Sequence, residues 1–277
     1  TLDNTLAKKA MQIGAKIIQD SVIDIQFLND AFSVQTKNKT FHSKIAIGAY
    51  GKRSALDIKM DRRFIKQKSP FLAVKTHMKG DFPEDLVALH NFKGGYCGVS
   101  KVENDIINLC YITNFEAFKT FKNIDEFQEE VVFKNKYLKS IFKNSQPVFE
   151  TPLTISQISF SNKSPIENHI IMCGDTAGMI HPLCGNGMSM AIRSAQMASQ
   201  LIINYLQGKI ESRLALEKAY QKSWNHEFKN RLKVGHFVAN LFSKNQLSEI
   251  LIPVIKKIPN LLLKIVKLTH GKPMVLE

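Results

Sequence analysis

The sequence predicts a mixed α/β (α+β) fold, on three observations. Residues 71–112 are rich in short segments with strand-like patterns separated by turn residues, as in an antiparallel sheet. The short, uninterrupted apolar run 170–173 leads through a glycine-containing loop into a long helical pattern, and the residues from 211 onward follow helical spacing. With 277 residues, 44% hydrophobic and 22% charged, the chain has a globular composition, which excludes intrinsic disorder, collagen-like repeats and a disulfide-stapled miniprotein.

The first 57 residues predict one helix followed by three extended segments. Apolar residues at helical spacing predict the helix over residues 4–19. The pattern then changes to a strand over 22–27, a turn at Asn29-Asp30, and a hairpin partner over 32–36. A third extended segment, 41–47, ends in a glycine-punctuated turn.

Residues 58–160 predict a domain built on an antiparallel sheet. Its strands are predicted over 71–78, 86–92, 95–99 and 106–112, with turn residues between them. A charged amphipathic helix follows over 124–143, and two prolines interrupt the chain before an extended stretch at 153–160.

The segment from 170 to 206 combines a strand, a loop and a long helix. The apolar run 170–173 is typical of a strand buried on both faces, and the helix is predicted from about Met188 to Leu206. At the carboxyl end of the strand, Asp175 is placed to accept hydrogen bonds from sugar-like hydroxyls, while Gly185 and Gly187 allow a flat ligand to approach the backbone at the positive helix end. The same letters also fit a capped helix preceded by an ordinary turn aspartate, and both interpretations stay open.

This loop resembles a known cofactor motif. The residues Gly174-Asp175-Thr176-Ala177-Gly178, with Pro182, Gly185-Asn186-Gly187-Met188 and Ala191, resemble the second flavin motif of FAD-dependent oxidoreductases of the para-hydroxybenzoate hydroxylase-like and geranylgeranyl reductase-like superfamily. The resemblance implies FAD as cofactor, with Asp175 on the ribityl chain, Pro182 near the flavin, and the amides of residues 185–188 at the pyrimidine side of the ring. There the helix end would stabilise the negative charge of reduced flavin.

Two upstream segments extend the resemblance. The turn Gly48-Ala49-Tyr50-Gly51-Lys52-Arg53-Ser54 is similar to the superfamily's Ala-Asp-Gly-x-x-Ser segment, which places Arg53 near the cofactor. Tyr50 stands where Asp is usual, so the electron donor, NAD(P)H or another reductant, is left open. The strand Gly94-Gly95-Tyr96-Cys97-Gly98-Val99 resembles the glycine-tyrosine strand of geranylgeranyl reductase-like members, but the residues after Tyr96 differ, so prenyl-lipid specificity is not implied.

One part of the superfamily pattern is missing from the sequence. Its opening βαβ unit carries GxGxxG at the FAD pyrophosphate, and no such sequence is present. Gly185-x-Gly187 followed by Ala191 imitates this motif in sequence, but it lies far beyond the end of its strand, so it does not meet the structural requirement of the motif. We therefore expect the N-terminal part of the pattern to be missing, and these residues alone to bind FAD weakly or not at all.

The function implied is an FAD-dependent oxidoreductase that hydroxylates a hydrophobic organic molecule or reduces its double bond. A flavin-free binding module that kept the fold is the alternative. The substrate is expected between the sheet and the flavin, near His77, Tyr96 and His181, although each of these also fits ordinary sheet or loop packing. No residue is assigned a catalytic role. Cys184 fits a small buried hydrophobe better than a redox group.

The predicted domain order is a flavin domain at 1–57 and 161–207, split by the sheet domain at 58–160 and followed by a basic helical region at 208–277. The net charge is +14, and residues 208–277 hold 13 Lys and Arg against five Glu. This region fits either a helical cap with lysines in water or an amphipathic surface for an anionic membrane.

Other function classes are excluded or disfavoured. The four cysteines form no CxxC pair and no zinc-like cluster with histidine, which predicts no metal site. A nucleic-acid binder is disfavoured because the positive charge lies on an apolar-periodic tail. Unpaired cysteines and a polar N-terminus without a secretory pattern predict a cytoplasmic protein, membrane-associated if the tail binds lipid.

Overall fold

The computed structural model describes residues 2–67, 70–243 and 257–271, and it has the mixed helix and sheet content that the sequence predicts. Its helices are α1 Leu2–Gln12, α2 Ala55–Lys59, α3 Phe115–Phe118, α4 Ile124–Glu130, α5 Lys136–Lys143, α6 Gly187–Leu206, α7 Arg213–Ser243 and α8 Pro259–His270. Its strands are β1 Val22–Leu28, β2 Ala31–Thr36, β3 Thr40–Ser43, β4 Ile47–Gly48, β5 Phe71–Lys79, β6 Val87–Phe92, β7 Gly95–Val102, β8 Ile106–Asn114, β9 Gln146–Pro147, β10 Leu153–Ile158, β11 Ile166–Glu167 and β12 Ile170–Met172.

The strands form three sheets in the described part of the chain. The largest has the order β10-β5-β8-β7-β6, with β9 also paired to β5. Its paired strands are all antiparallel. A second antiparallel sheet has the order β1-β2-β3, and the third has the order β11-β12-β4. In the third sheet β12 and β4 are parallel, with Met172 paired to Gly48, so the carboxyl ends of two strands whose paired residues are 124 positions apart in sequence meet at one edge.

The large sheet buries both of its faces. One face carries Leu72 and Val74, which pack with Phe127 of α4 and Leu138 of α5, the helices between β8 and β9 in sequence. The other face carries Ala73, Tyr96 and Ile112, which pack with Met179 in the loop after β12. The alternation of side chains along β5 therefore separates a structural face from a face that meets the predicted flavin loop.

The second core surrounds β12. All three residues of this strand are buried, as expected for a strand covered on both faces. The hydroxyl of Tyr220, on α7, donates a hydrogen bond of 2.7 Å to the carbonyl oxygen of Met172. Helix α6 lies close to the strand end, because Gly174 N donates to Ser194 Oγ at 2.9 Å and Ser194 is almost fully buried. The small-residue pattern of α6 allows this approach.

The structure differs from the sequence prediction at three elements. The predicted helix over 4–19 ends at Gln12, because Gly14 adopts a positive φ of 99° that breaks the helix. The predicted helix over 124–143 is interrupted at Asn135, whose side chain caps α5 instead. The predicted strand 41–47 is divided between β3 and β4, which belong to different sheets.

The C-terminal region is helical where it is described. Helix α7 has 31 residues, and α8 begins at Pro259, a favoured residue for the first helical position. The helix-breaking residues Pro253 and Pro273, and the apolar residues 250–255, lie outside the described residues. Among the helices that the structure describes, none is both long and apolar enough to cross a membrane.

Candidate functional site

An open cavity of about 420 Å³ lies where β4 and β12 end and α6 begins. The parallel pairing of these two strands brings the turn after β4 and the loop after β12 to the same edge. Its walls are mostly small or glycine residues, which leaves the backbone accessible. The lining residues are Ala49, Gly51, Cys173, Gly174, Asp175, Gly187, Met188, Ala191 and Ala195.

The charged side chain in this lining belongs to Asp175. Burial raises the pKa of its carboxyl group, and the nearby Lys163 ammonium partly opposes that rise. No donor from the described residues forms a hydrogen bond with the carboxylate oxygens, although the backbone carbonyl of Asp175 is bonded to Lys163. A half-buried carboxylate beside a cavity has therefore kept its capacity to accept hydrogen bonds from a ligand.

The start of α6 forms the facing wall. The helix begins at Gly187, and Asn186 makes no side-chain hydrogen bond to cap its first turn. The orphan amides and the positive end of this 20-residue helix are therefore available to a ligand. A Cβ atom built on Gly187 meets no atom within 4 Å, so the cavity continues to its backbone, whereas one built on Gly174 lies 3.1 Å from Ala191 Cβ.

Four other predicted cofactor residues do not line the cavity. Pro182 and Gly185 belong to a short 3₁₀ turn before α6, in which Gly185 has a φ of 63°. The side chain of Asn186 is directed away, since its Nδ2 donates to the carbonyl oxygen of Thr269 on α8 at 2.9 Å. Arg53 is half-buried in the turn after β4 and is not among the lining residues.

Two of the predicted substrate residues are in contact, and the third is elsewhere. The hydroxyl of Tyr96 lies 3.4 Å from Nδ1 of His181. Phe160 also packs on His181, with ring centroids 4.4 Å apart. Burial, with a smaller contribution from His236, lowers the pKa of His181 to about 4, so the imidazole is neutral at pH 7. His77 lies on the same sheet face but stacks on Phe149 at a ring distance of 4.9 Å.

The sequence analysis missed a buried polar network beneath the cavity. Arg62 forms an ion pair of 2.8 Å with Asp57 and donates to the carbonyl oxygen of Thr176 at 3.1 Å. Tyr50 donates to the same Asp57 carboxylate at 3.1 Å. Because Thr176 follows Asp175 directly, this network holds the loop after β12 against the turn after β4.

Lys163 makes a second link between the same two segments. Its ammonium donates to the carbonyl oxygens of Lys52 at 2.6 Å and Asp175 at 2.7 Å. Burial lowers the pKa of Lys163 to about 8. The sequence does contain a local signal for α2, because Ser54 and Asp57 form a capping box at its start. No local pattern, however, indicates which residues Arg62 and Lys163 contact.

The curated relatives of the chain are distant, and no family model matches it. The conditioned medium factor receptor 1 of Dictyostelium discoideum is 21% identical over 86% of this chain and 49% of its own length. An uncharacterised protein of Methanocaldococcus jannaschii is 25% identical over 74% of this chain and 51% of its own. A digeranylgeranylglycerophospholipid reductase 1 of Methanopyrus kandleri is 24% identical over 38% of this chain and 29% of its own. The chain spans about half the length of the first two.

Solved structures show a shared fold. The flavin-dependent brominase Bmp2 matches 98% of this chain and 69% of its own, with a TM-score of 0.76 and 17% identity. The Diels-Alderase PyrE3 matches 98% of this chain and 59% of its own, with a TM-score of 0.74 and 13% identity. The flavin-dependent halogenase CmlS matches 85% of this chain and 44% of its own, with a TM-score of 0.68 and 18% identity. The prediction of a mixed fold with an antiparallel sheet is therefore confirmed.

Proposed function

We propose that the chain is part of an FAD-dependent oxidoreductase acting on a hydrophobic organic substrate, by hydroxylation or by reduction of a double bond. One observation carries the proposal: the free Asp175 carboxylate and the uncapped start of α6 line the same cavity. The fold shared with a flavin-dependent brominase and a flavin-dependent halogenase supports it.

The residues present fit FAD. Asp175 would accept hydrogen bonds from the ribityl hydroxyls, and the bare backbone at Gly187 leaves room for a flat ring. The first-turn amides of α6 would stabilise negative charge on the ring. When bound, FAD would supply the electron transfer that amino-acid side chains do not provide.

The substrate would lie on the sheet face that carries Tyr96 and meets His181. Phe71, Phe160 and Leu183 surround this contact, so the region suits an apolar molecule. The neutral His181 and the Tyr96 hydroxyl would orient a polar atom of the substrate by hydrogen bonding. NAD(P)H or another reductant would supply electrons, and the exposed lysines of α8 would contact an anionic membrane that carries the substrate.

The flavin content of the purified protein tests this proposal. The protein is expressed from its natural gene, with whatever residues flank this chain, and its visible absorption is recorded before and after addition of FAD. We expect a flavin spectrum that Asp175→Ala weakens, whereas Asp61→Asn, which neutralises an exposed carboxylate paired with Lys66 and keeps a residue type that tolerates the positive φ of this position, leaves it unchanged. Because we also expect residues 1–277 alone to bind FAD weakly, they serve as the comparison.

Two outcomes contradict the proposal. A protein that neither copurifies with flavin nor takes it up supports the flavin-free binding module instead. Flavin binding that is equally strong in Asp175→Ala and the wild type contradicts the assignment of Asp175. For a flavin-containing protein, oxygen-dependent product formation distinguishes hydroxylation from double-bond reduction.

A further inference from the structure

A second cavity, of about 270 Å³, lies between helix α7 and the two loops that flank β11 and β12. It shares no lining residue with the candidate flavin cavity. Lys163 separates the two, since it lines the second cavity while its ammonium binds the backbone of Asp175. The lining residues are Phe160, Ser161, Asn162, Lys163, Gly178, Met179, Trp224, Asn225, Lys229, Leu232, Lys233 and His236.

The lining combines an apolar wall with a cationic edge. Trp224 and Met179 are buried, and Phe160 and Leu232 are partly buried beside them. Lys229 and Lys233 are exposed and lie four residues apart on α7, so their side chains share one face. No acidic residue is among the described lining residues, and no ion pair within the described ranges involves either lysine.

His236 adds a fixed polar group. Its Nε2 lies 3.2 Å from the carbonyl oxygen of Met179, a contact in which the ring nitrogen is the donor. This bond holds the ring in the wall while the two lysine ammonium groups stay free to move toward a ligand. A ligand with an apolar body and one anionic end would use both parts of the lining: the apolar wall by burial and the lysines by charge.

We propose that this cavity binds an amphipathic organic anion, a carboxylate or phosphate monoester, with its apolar body against Trp224 and its anionic group at Lys229 and Lys233. The neighbouring Glu227 does not compete, because its carboxylate pairs with Arg231 on the same helix. The inference does not depend on flavin binding, since none of its residues lines the flavin cavity.

Tryptophan fluorescence provides a local reporter, because Trp224 is the single tryptophan of the chain. The protein is titrated with octanoate, octyl phosphate, 1-octanol and inorganic phosphate. We expect saturable changes in emission with the two amphipathic anions, at least about fivefold weaker binding of 1-octanol, and weaker octanoate binding at high salt. Comparison of octanoate with octyl phosphate identifies the preferred anionic group.

A pair of variants tests the position of the anion. Lys229→Gln/Lys233→Gln removes both proposed contacts, and Lys218→Gln/Lys222→Gln removes two exposed lysines at the same spacing on the same helix, neither of which lines the cavity. We expect about fivefold or greater weakening of octanoate binding in the first variant only, with equal thermal unfolding temperatures for both.

Several results would overturn the inference. Equal affinity for 1-octanol and octanoate would remove the role of the anion, and equal affinity for inorganic phosphate and octyl phosphate would remove the role of the apolar body. Equal losses in the two double variants would make the effect one of overall charge. Emission that no probe changes would mean that the cavity does not bind this class of ligand.

Discussion

Arg62 and Asp57 form an ion pair of 2.8 Å in which each side chain is only 1% exposed to solvent. Loss of one partner leaves a buried charge unpaired, which typically costs about 3–5 kcal/mol. Arg62→Met should therefore lower the free energy of unfolding by about that amount, as measured by urea denaturation. Arg63→Met, at the exposed neighbouring position, is the control, and similar losses in both variants would contradict the prediction.

Replacement of Gly187 and of Gly174 by alanine should have different effects on stability. A methyl group on Gly187 meets no atom and occupies a helical position, so Gly187→Ala should keep or raise stability, by up to about 1 kcal/mol. Gly174 has a φ of 59°, and a Cβ atom added there lies 3.1 Å from Ala191 Cβ. Gly174→Ala should therefore lower the free energy of unfolding by about 1–2 kcal/mol.

The same two variants separate folding from ligand binding. Gly187→Ala places its methyl in the candidate flavin cavity, so we expect it to weaken flavin retention by the protein expressed from the natural gene while the thermal unfolding temperature stays equal or rises. Flavin retention equal to that of the wild type would show that the backbone at Gly187 does not approach the ring.

Local sequence patterns were sufficient to predict the elements around the cavity. The apolar run 170–173, the turn glycines and the small residues of α6 were each predicted from a single short segment, and the strand at 170–172, the loop and the helix lie near their predicted positions. The hairpin turn at Asn29-Asp30 was also predicted, and both residues have the positive φ that such a turn requires.

Long-range contacts were not predictable in this way. Arg62 meets Thr176 and Lys163 meets Lys52, partners that are more than a hundred residues apart in sequence. The break between α4 and α5 was not predicted. Asn135 caps the start of α5, but an asparagine can act as an N-cap only where the residues before it have already left the helix. Periodicity extends a helix through such a position, whereas capping decides where it stops.

Lys163 should make stability increase with pH. Burial lowers its pKa in the folded state to about 8, below the 10.5 of an ordinary lysine. Between these pH values the unfolded chain binds more protons than the folded one, so the free energy of unfolding rises with pH. In Lys163→Met this contribution is lost, and the wild type should gain stability over the variant from pH 8 to pH 10.

Urea denaturation at several pH values measures the effect. Lys139→Met, which removes an exposed lysine on α5, should follow the wild type over this range. A constant stability difference between wild type and Lys163→Met would mean that Lys163 titrates as an ordinary surface lysine.

His181 should make stability fall in acid. Its folded pKa of about 4 lies below the 6.5 of an ordinary histidine, so the unfolded chain takes up the proton first as the pH falls. The free energy of unfolding should therefore decrease from pH 6.5 to pH 4. Since burial also lowers the pKa of His236, His181→Gln should remove part of this slope. The exposed His42→Gln is the control, and an unchanged slope in His181→Gln would contradict the assignment.

Helix α8 should bind anionic vesicles if the C-terminal region contacts a membrane. Its exposed surface mixes Leu263, Val266 and Leu268 with Lys264 and Lys267, a pattern that suits the interface between lipid headgroups and water. Each lysine near an anionic surface contributes about 1 kcal/mol, so Lys264→Gln/Lys267→Gln should weaken vesicle binding by about tenfold or more.

Co-sedimentation with phosphatidylserine-containing and with neutral vesicles measures this binding, and Lys136→Gln/Lys139→Gln on α5 is the control. No binding to anionic vesicles, or equal losses in both variants, would instead favour a helical cap whose lysines are only solvated. Binding to neutral vesicles as strong as to anionic ones would contradict the role of the lysines.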